Sequence, residues 1–431
     1  MLEVRPFRGF RYVMEKVGSL DRVITPPWDV ITPEARRTLA AQSPYNLARV
    51  KLPEPGPDGL PQFEAAGREF ESWLAAGVLR QDEGESFYLL EQEFADMEGY
   101  VHIRRGFFAA VRLPEPGERI ILGHERIFSG PVENRIRLLE ETRANLGAIF
   151  VLYSDPKNAL TGFLSQMDER PPDAAARTYD GVIQRLWRVP GDGAVTDFFR
   201  DKKLYVADGH HRFHTACVYR DRMREREHPT GPEPCTAPSD DDPRNAPYDN
   251  VLMGLVAFRD PGLMIYAPHR LLTFPDRFQV AGFLAELVRW FDVRAVEENL
   301  PERVREQPGC AIGVAIHGIG DYLLTLRDFD RTAFLGNDHS PAWRNLDVAV
   351  LHRGIIERIL GVPPDTPLEY EHDAEKALGL VRKGRYGLAF LLKPLQSEDV
   401  RACAEAGEPM PQKATYFFPK LPSGAVIHRL V

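Results

Sequence analysis

Leu204-Tyr205-Val206-Ala207-Asp208-Gly209-His210-His211-Arg212 is the stretch on which the reading of this chain turns. The apolar run 204–207 predicts a short buried strand. Gly209 supplies a tight turn, and Phe213, Cys217 and Met223 recur behind it at helical spacing. A helix is therefore expected from about His210 to about Arg224. A strand that ends in a glycine turn and opens a helix exposes backbone N–H groups at the helix start, and such a terminus binds anions, phosphate above all. Arg212 adds a bidentate fork for the same anion. Asp208 can cap the helix, position a hydroxyl or hold a magnesium ion. A capped helix with locally bonded histidines is the plainer reading. Two adjacent histidines, His210 and His211, between Gly209 and Arg212 favour a functional site. His210 and His214 share a helix face at a spacing that can hold zinc with a third acid, although no Glu stands between them as in H-E-x-x-H.

Outward from this stretch, strands are expected near 148–153, 183–189 and 250–258. A hairpin is expected from 86–94 and 100–113 across Asp96–Gly99. Thr32-Pro33-Glu34 reads as a helix start, and Phe63, Phe70, Trp73 and Leu74 mark a helix ended by Gly77. A charged helix is expected over 132–145. From about 260, helices at 277–291, 345–360, 373–383 and 397–406 alternate with strands near 311–317, 321–327, 387–392 and 424–430. The expected organisation is α+β: an N-terminal α+β region over 1–114, a core over 115–260 and a C-terminal α+β domain over 261–431.

Composition narrows the function classes. The 431 residues carry 54 Lys and Arg against 63 Asp and Glu, a net charge of −9. An acidic chain is a poor electrostatic match for nucleic acid, so no such partner is expected. The 34 Gly and 36 Pro imply many loops. The four cysteines form no C-x-x-C pair, which argues against a Cys-rich zinc site and a disulfide scaffold and fits a reducing cytosol. No signal-peptide pattern and no apolar run of about 18 residues is read, so a cytoplasmic protein without a membrane span is expected. No P-loop, dinucleotide G-x-G-x-x-G or G-x-S-x-G elbow occurs.

Three further segments carry chemistry-bearing residues. Gly123-His124-Glu125-Arg126 precedes a run rich in Arg, Glu and Asn that ends in Thr142-Arg143-Ala144-Asn145. Glu125 could act as a general base and Arg126 and Arg143 could clamp phosphates, against the alternative of a solvated helix stitched by ion pairs. Met410–Lys420 holds Lys413, Lys420, Tyr416, Phe417 and Phe418 between prolines. It could stack a base and contact a phosphate, or simply strap the core. If extended, it puts Lys413 and Thr415 on one face and Tyr416 on the other, with Lys413 completing a phosphoryl clamp. Arg5–Tyr12 reads as a surface strand, and the helix with Asp347, His352 and Glu357 as core.

Taken together, Arg5–Tyr12, Pro26–Val30, His124–Arg126, Thr142–Leu146, Ala207–Arg212 and Met410–Lys420 resemble a family of bacterial proteins called domain of unknown function 1015, nearly end to end. The Asp208–Arg212 motif also resembles the Asp-Gly-His-His-Arg loop of archaeal ADP-dependent free-serine kinases, which have a ParB/sulfiredoxin-like nucleotide-binding fold. That second resemblance implies a ParB/sulfiredoxin-like core, and it implies phosphoryl transfer between a nucleotide (ADP, or ATP and AMP) and serine, or from phosphoserine to AMP in reverse, with Mg2+. Asp208, Gly209, His210, His211 and Arg212 match position by position, and Glu125 is the expected base. Rival readings are a metal-dependent hydrolase using His210 and His214, and a non-enzymatic nucleotide-binding regulator.

Overall fold

The computed structural model describes residues 1–56, 59–125, 130–227 and 246–431. The chain forms two compact units, one of residues 1–122, 127–263 and 419–431, the other of 123–126 and 264–418. Both mix strands and helices, so the fold is α+β.

The first unit is built on a mixed sheet of nine strands among the described residues. In chain order these are β1 (Val4–Arg5), β2 (Ser86–Ala95), β3 (Val101–Arg112), β4 (Ile121–Leu122), β5 (Ile149–Tyr153), β6 (Ala174–Arg177), β7 (Ile183–Pro190), β8 (Leu204–Asp208) and β9 (Asn250–Ala257). Their spatial order is β4-β8-β5-β9-β3-β2-β7-β6, with β1 paired to β3. Only the β4–β8 and β5–β9 pairs are parallel. The β2–β3 hairpin closes where Asp96 N–H donates to Tyr100 O (2.9 Å) and Gly99 takes φ +89°, a left-handed turn position that favours glycine. One sheet face buries Phe87, Phe107, Tyr153 and Phe163, whose rings meet edge to face, a favoured aromatic geometry.

Four helices of this unit matter below: α1 (Pro33–Gln42), α2 (Gln62–Ala75), α3 (Gly130–Thr142) and α4 (His210–Glu227). Thr32 Oγ1 accepts from Ala35 N–H (3.2 Å) at the start of α1, with Pro33 in the first helical position. Phe63, Phe70 and Trp73 form the buried stripe of α2.

Three expectations for this unit need correction. The boundary near residue 114 does not divide the sheet: β3 pairs with β9 from Arg112↔Asn250 to Gly106↔Val256, so the N-terminal region and the expected core share one set of backbone hydrogen bonds. Helix α3 stops at Thr142, not 145. Arg143 takes φ +46°, and Ala144 and Asn145 pair as a strand with Arg429 and His428. The physical cause is tertiary, since Asn145 Oδ1 accepts Leu252 N–H (2.9 Å) and holds the chain against β9. The strand expected over 424–430 is reduced to His428–Arg429, with single bridges at Ser423↔Thr25 and Ile427↔Phe10.

The second unit has its own antiparallel sheet: β10 (His269–Leu272), β11 (Phe291–Val296), β12 (Ala311–Ile316), β13 (Gly320–Leu326), β14 (Glu369–Glu371) and β15 (Leu388–Leu392), in the order β11-β13-β12-β15-β10-β14. The helix expected over 345–360 is a short turn, Asp347–Ala349, followed by a wide π-helical stretch, Val350–Ile359. Gly354 lies in that stretch where Phe334 fills the space a side chain would take.

Candidate functional site

Strand β8 pairs antiparallel with β5, and its register slips between Val206 and Asp208. Such a bulge re-aims the strand end. Gly209 follows at φ +96°, and helix α4 starts at His210. The expected strand, turn and helix are all present. Phe213 N–H donates to Gly209 O (2.9 Å), closing the first turn of α4. A Cβ on Gly209 would lie 2.9 Å from Arg212 Nε. Glycine thus lets the Arg212 guanidinium fold against the turn it serves.

Two cations meet on Asp208. Arg212 Nη2 donates to Asp208 Oδ2 (2.6 Å) and Lys420 Nζ to Asp208 Oδ1 (2.5 Å). Arg212 Nη1 also donates to Ala148 O. Burial alone would push the Asp208 carboxyl up. The Lys420 ammonium and the Arg212 guanidinium outweigh burial and hold it well below the usual carboxylate range. The carboxylate therefore stays ionised, which makes it a weak proton acceptor. Both its oxygens are engaged by cations.

Beside this turn, within the first unit, lies a cavity of about 110 Å³. Trp28, Lys51, Arg135, Thr142, Asn145, Arg212, Thr215 and Ser423 are among its walls. Arg135 lies over the Trp28 ring, 5.7 Å from its centroid, a cation–π arrangement. Lys51 is buried and donates to Pro26 O (2.8 Å) and Ser423 Oγ (2.6 Å). Gly147 makes room for that serine, since a Cβ there would lie 2.5 Å from Ser423 Oγ. The cavity is smaller than the about 300–1,000 Å³ common for ligand pockets.

Residues from three of the quoted sequence segments thus share the cavity: Trp28, then Thr142 and Asn145, then Arg212. Arg143 does not share it. Its left-handed backbone sends the side chain out to a groove lined by Glu71, Glu140, Glu141, Arg226 and Arg429, while its neighbours Thr142 and Asn145 face the cavity. Lys51 and Ser423 went unread in the sequence, because a lone Lys and a lone Ser carry no pattern. Lys420 was quoted within its segment, but Lys413 was the lysine singled out.

His210 is buried, and His211 and His214 are half-buried. Among the described residues no three His, Cys, Asp or Glu side chains gather as a metal site, and the His210/His214 hydrolase reading finds no third ligand there. In the second unit, His124 is buried, its carbonyl accepting from Met410 N–H (2.7 Å), and Glu125 beside it is half-buried. Arg126 lies outside the described residues. The 410–420 segment is not extended throughout: Lys413 takes φ +51° and is exposed, while Thr415 is buried, so the two do not share a face. The buried Arg270 holds this turn, donating to the carbonyls of Gln412 and Lys413 (both 3.0 Å). Among the described residues no helix is long and apolar enough to cross a membrane.

The family described as a protein of unknown function, DUF1015, matches residues 4–349. No curated protein matches. Similar solved structures include a conserved hypothetical protein from Pyrococcus furiosus, at 12% identity and TM-score 0.34, covering 70% of this chain and 90% of that one. A free serine kinase in complex with AMP is similar at 10% identity and TM-score 0.34, covering 69% and 83%. SbnI with a C-terminal truncation, from Staphylococcus aureus, is similar at 12% identity and TM-score 0.35, covering 74% and 88%. Similarity this low carries no residue correspondence.

Proposed function

For this chain, which belongs to the DUF1015 family, we propose a phosphotransferase that holds nucleotide phosphates at the Asp208–Arg212 turn and moves a phosphoryl group between the nucleotide and the hydroxyl of serine. The observation that carries the reading is the meeting of Arg212 and Lys420 on Asp208 at the start of α4. The first-turn N–H groups and the helix dipole favour an anion there. Two oriented cations offset the charge that spreads over a transferring phosphoryl group. The strand–glycine–helix order also supports reading the mixed sheet as a ParB/sulfiredoxin-like core.

In the kinase direction the serine oxygen forms the new O–P bond as the bridging P–O bond breaks and AMP leaves ADP. The hydroxyl proton passes to a base, for which Glu125 is the proposed residue. In reverse, phosphoserine gives its phosphoryl group to AMP. The cavity of about 110 Å³ suits a three-carbon amino acid better than a nucleoside. Lys51 and Arg135 there would face its carboxylate.

Phosphorus NMR on the purified protein tests both directions, with ADP plus serine and with AMP plus phosphoserine. Growth of a phosphoserine or ADP resonance is the expected result. Nucleotide binding without turnover in either direction would replace the enzyme with a nucleotide-binding regulator.

A further inference from the structure

Three polar side chains stand in one row across three neighbouring strands of the first unit. Gln184 on β7 pairs with Gln92 on β2, and Gln92 pairs with Arg104 on β3. Direct cross-strand partners point to the same face. All three are buried, and Arg104 is 1% exposed. Arginine so placed needs a structural reason, because burying a guanidinium is costly unless its donors are met. Here burial pushes its pKa down to about 9, so the group still carries its charge at neutral pH.

The row is turned toward the C-terminal strap. Gln92 Nε2 donates to Gln184 Oε1 (2.9 Å) and to Lys420 O (3.1 Å). Arg104 Nε donates to Gln92 Oε1 (3.0 Å), and its Nη2 donates to Gln92 Oε1 and Pro419 O. The guanidinium also lies over Phe150, 4.7 Å from the ring centroid. One residue further along, Leu421 fills the space above Gly254 of β9 that a side chain would occupy. The sheet therefore holds three consecutive strap residues, two by their carbonyls and one by a glycine seat. Lys420 is the middle one, and its ammonium ends on Asp208.

We propose that Gln92, Arg104 and Gln184 are positioning residues that fix the Lys420 backbone, and so deliver its ammonium to the phosphate-binding turn. The part concerning phosphate rests on the function proposed above. None of the three touches the reacting atoms; they act through Lys420.

Gln92→Glu is the informative substitution. It keeps the shape and gives Arg104 a carboxylate partner, but removes the N–H donors to Gln184 Oε1 and Lys420 O and sets a carboxylate oxygen against the Lys420 carbonyl. Wild type and variant are compared by thermal melting, by acetic anhydride labelling of Lys420 read by peptide mass, and by ADP titration. The expected result is a folded variant that melts cooperatively, with Lys420 labelling about three- to tenfold faster and ADP affinity about three- to tenfold weaker, as the loss of the hydrogen bond to Lys420 O allows. Unchanged labelling in a folded variant would overturn the proposal and reduce the row to packing. Faster labelling with no ADP binding by either protein would uphold the positioning and refute the nucleotide reading instead. Should Gln92→Glu fail to fold, Gln92→Met is read by the same labelling and titration.

Discussion

Lys420 Nζ lies 2.5 Å from Asp208 Oδ1, bringing the C-terminal strap onto the turn between β8 and α4. Asp208 is thereby bound on both oxygens by cations, Lys420 on one and Arg212 on the other.

Arg212→Ala removes one of those cations and the fork beside the first-turn N–H groups. Nucleotide binding is expected to weaken by about 1.5–3 kcal/mol, the range for a charged hydrogen bond. Calorimetric titration with ADP and AMP measures it. An unchanged affinity would remove the turn from the binding site.

The Asp208 carboxyl is held below its ordinary value, chiefly by Lys420 and Arg212 working against burial. A depressed acid contributes stability that is complete above its unfolded pKa, about 3.9, and is lost as pH falls toward the folded value. Denaturant unfolding from pH 7 down to 2 should show that loss below about pH 4. Asp208→Asn should cost about 1.5–3 kcal/mol at pH 7 and flatten the acid limb. Parallel curves for the two proteins would contradict the assignment.

Gly209→Ala places a Cβ at φ +96°, 2.9 Å from Arg212 Nε. Strain of this kind costs about 1–3 kcal/mol. Because Arg212 must move to relieve it, ADP affinity should fall together with the melting temperature. A variant that melts lower but binds ADP normally would show that Arg212 need not lie against the turn.

Glu125→Gln keeps the shape of the proposed base and removes its proton acceptor. Loss of a general base costs about 100- to 10,000-fold in rate. Single-turnover phosphoryl transfer slowed by that factor, with ADP affinity preserved, is the expected pattern. Near-normal turnover would assign the proton to another group.

Local chemistry made much of the first unit legible. The run 204–207, the glycine at 209 and the spacing of Phe213 and Cys217 carry the strand, turn and helix, because these depend on neighbours a few residues apart. The same holds for the cap at Thr32 and the hairpin across Asp96–Gly99. What the sequence could not disclose was which distant side chains meet. Helix α3 ends early because Asn145 is held by Leu252 N–H, 107 residues away. Arg143 points outward because its backbone turns left-handed there, while its neighbours line the cavity. Lys420 and Lys413 share one segment, and no local pattern separates them. The sheet does, since the row on β7, β2 and β3 takes hold of the carbonyls of Pro419 and Lys420. Backbone conformation follows local propensity, but the partners of a buried charge follow from the desolvation cost it must offset, and only the folded chain supplies them.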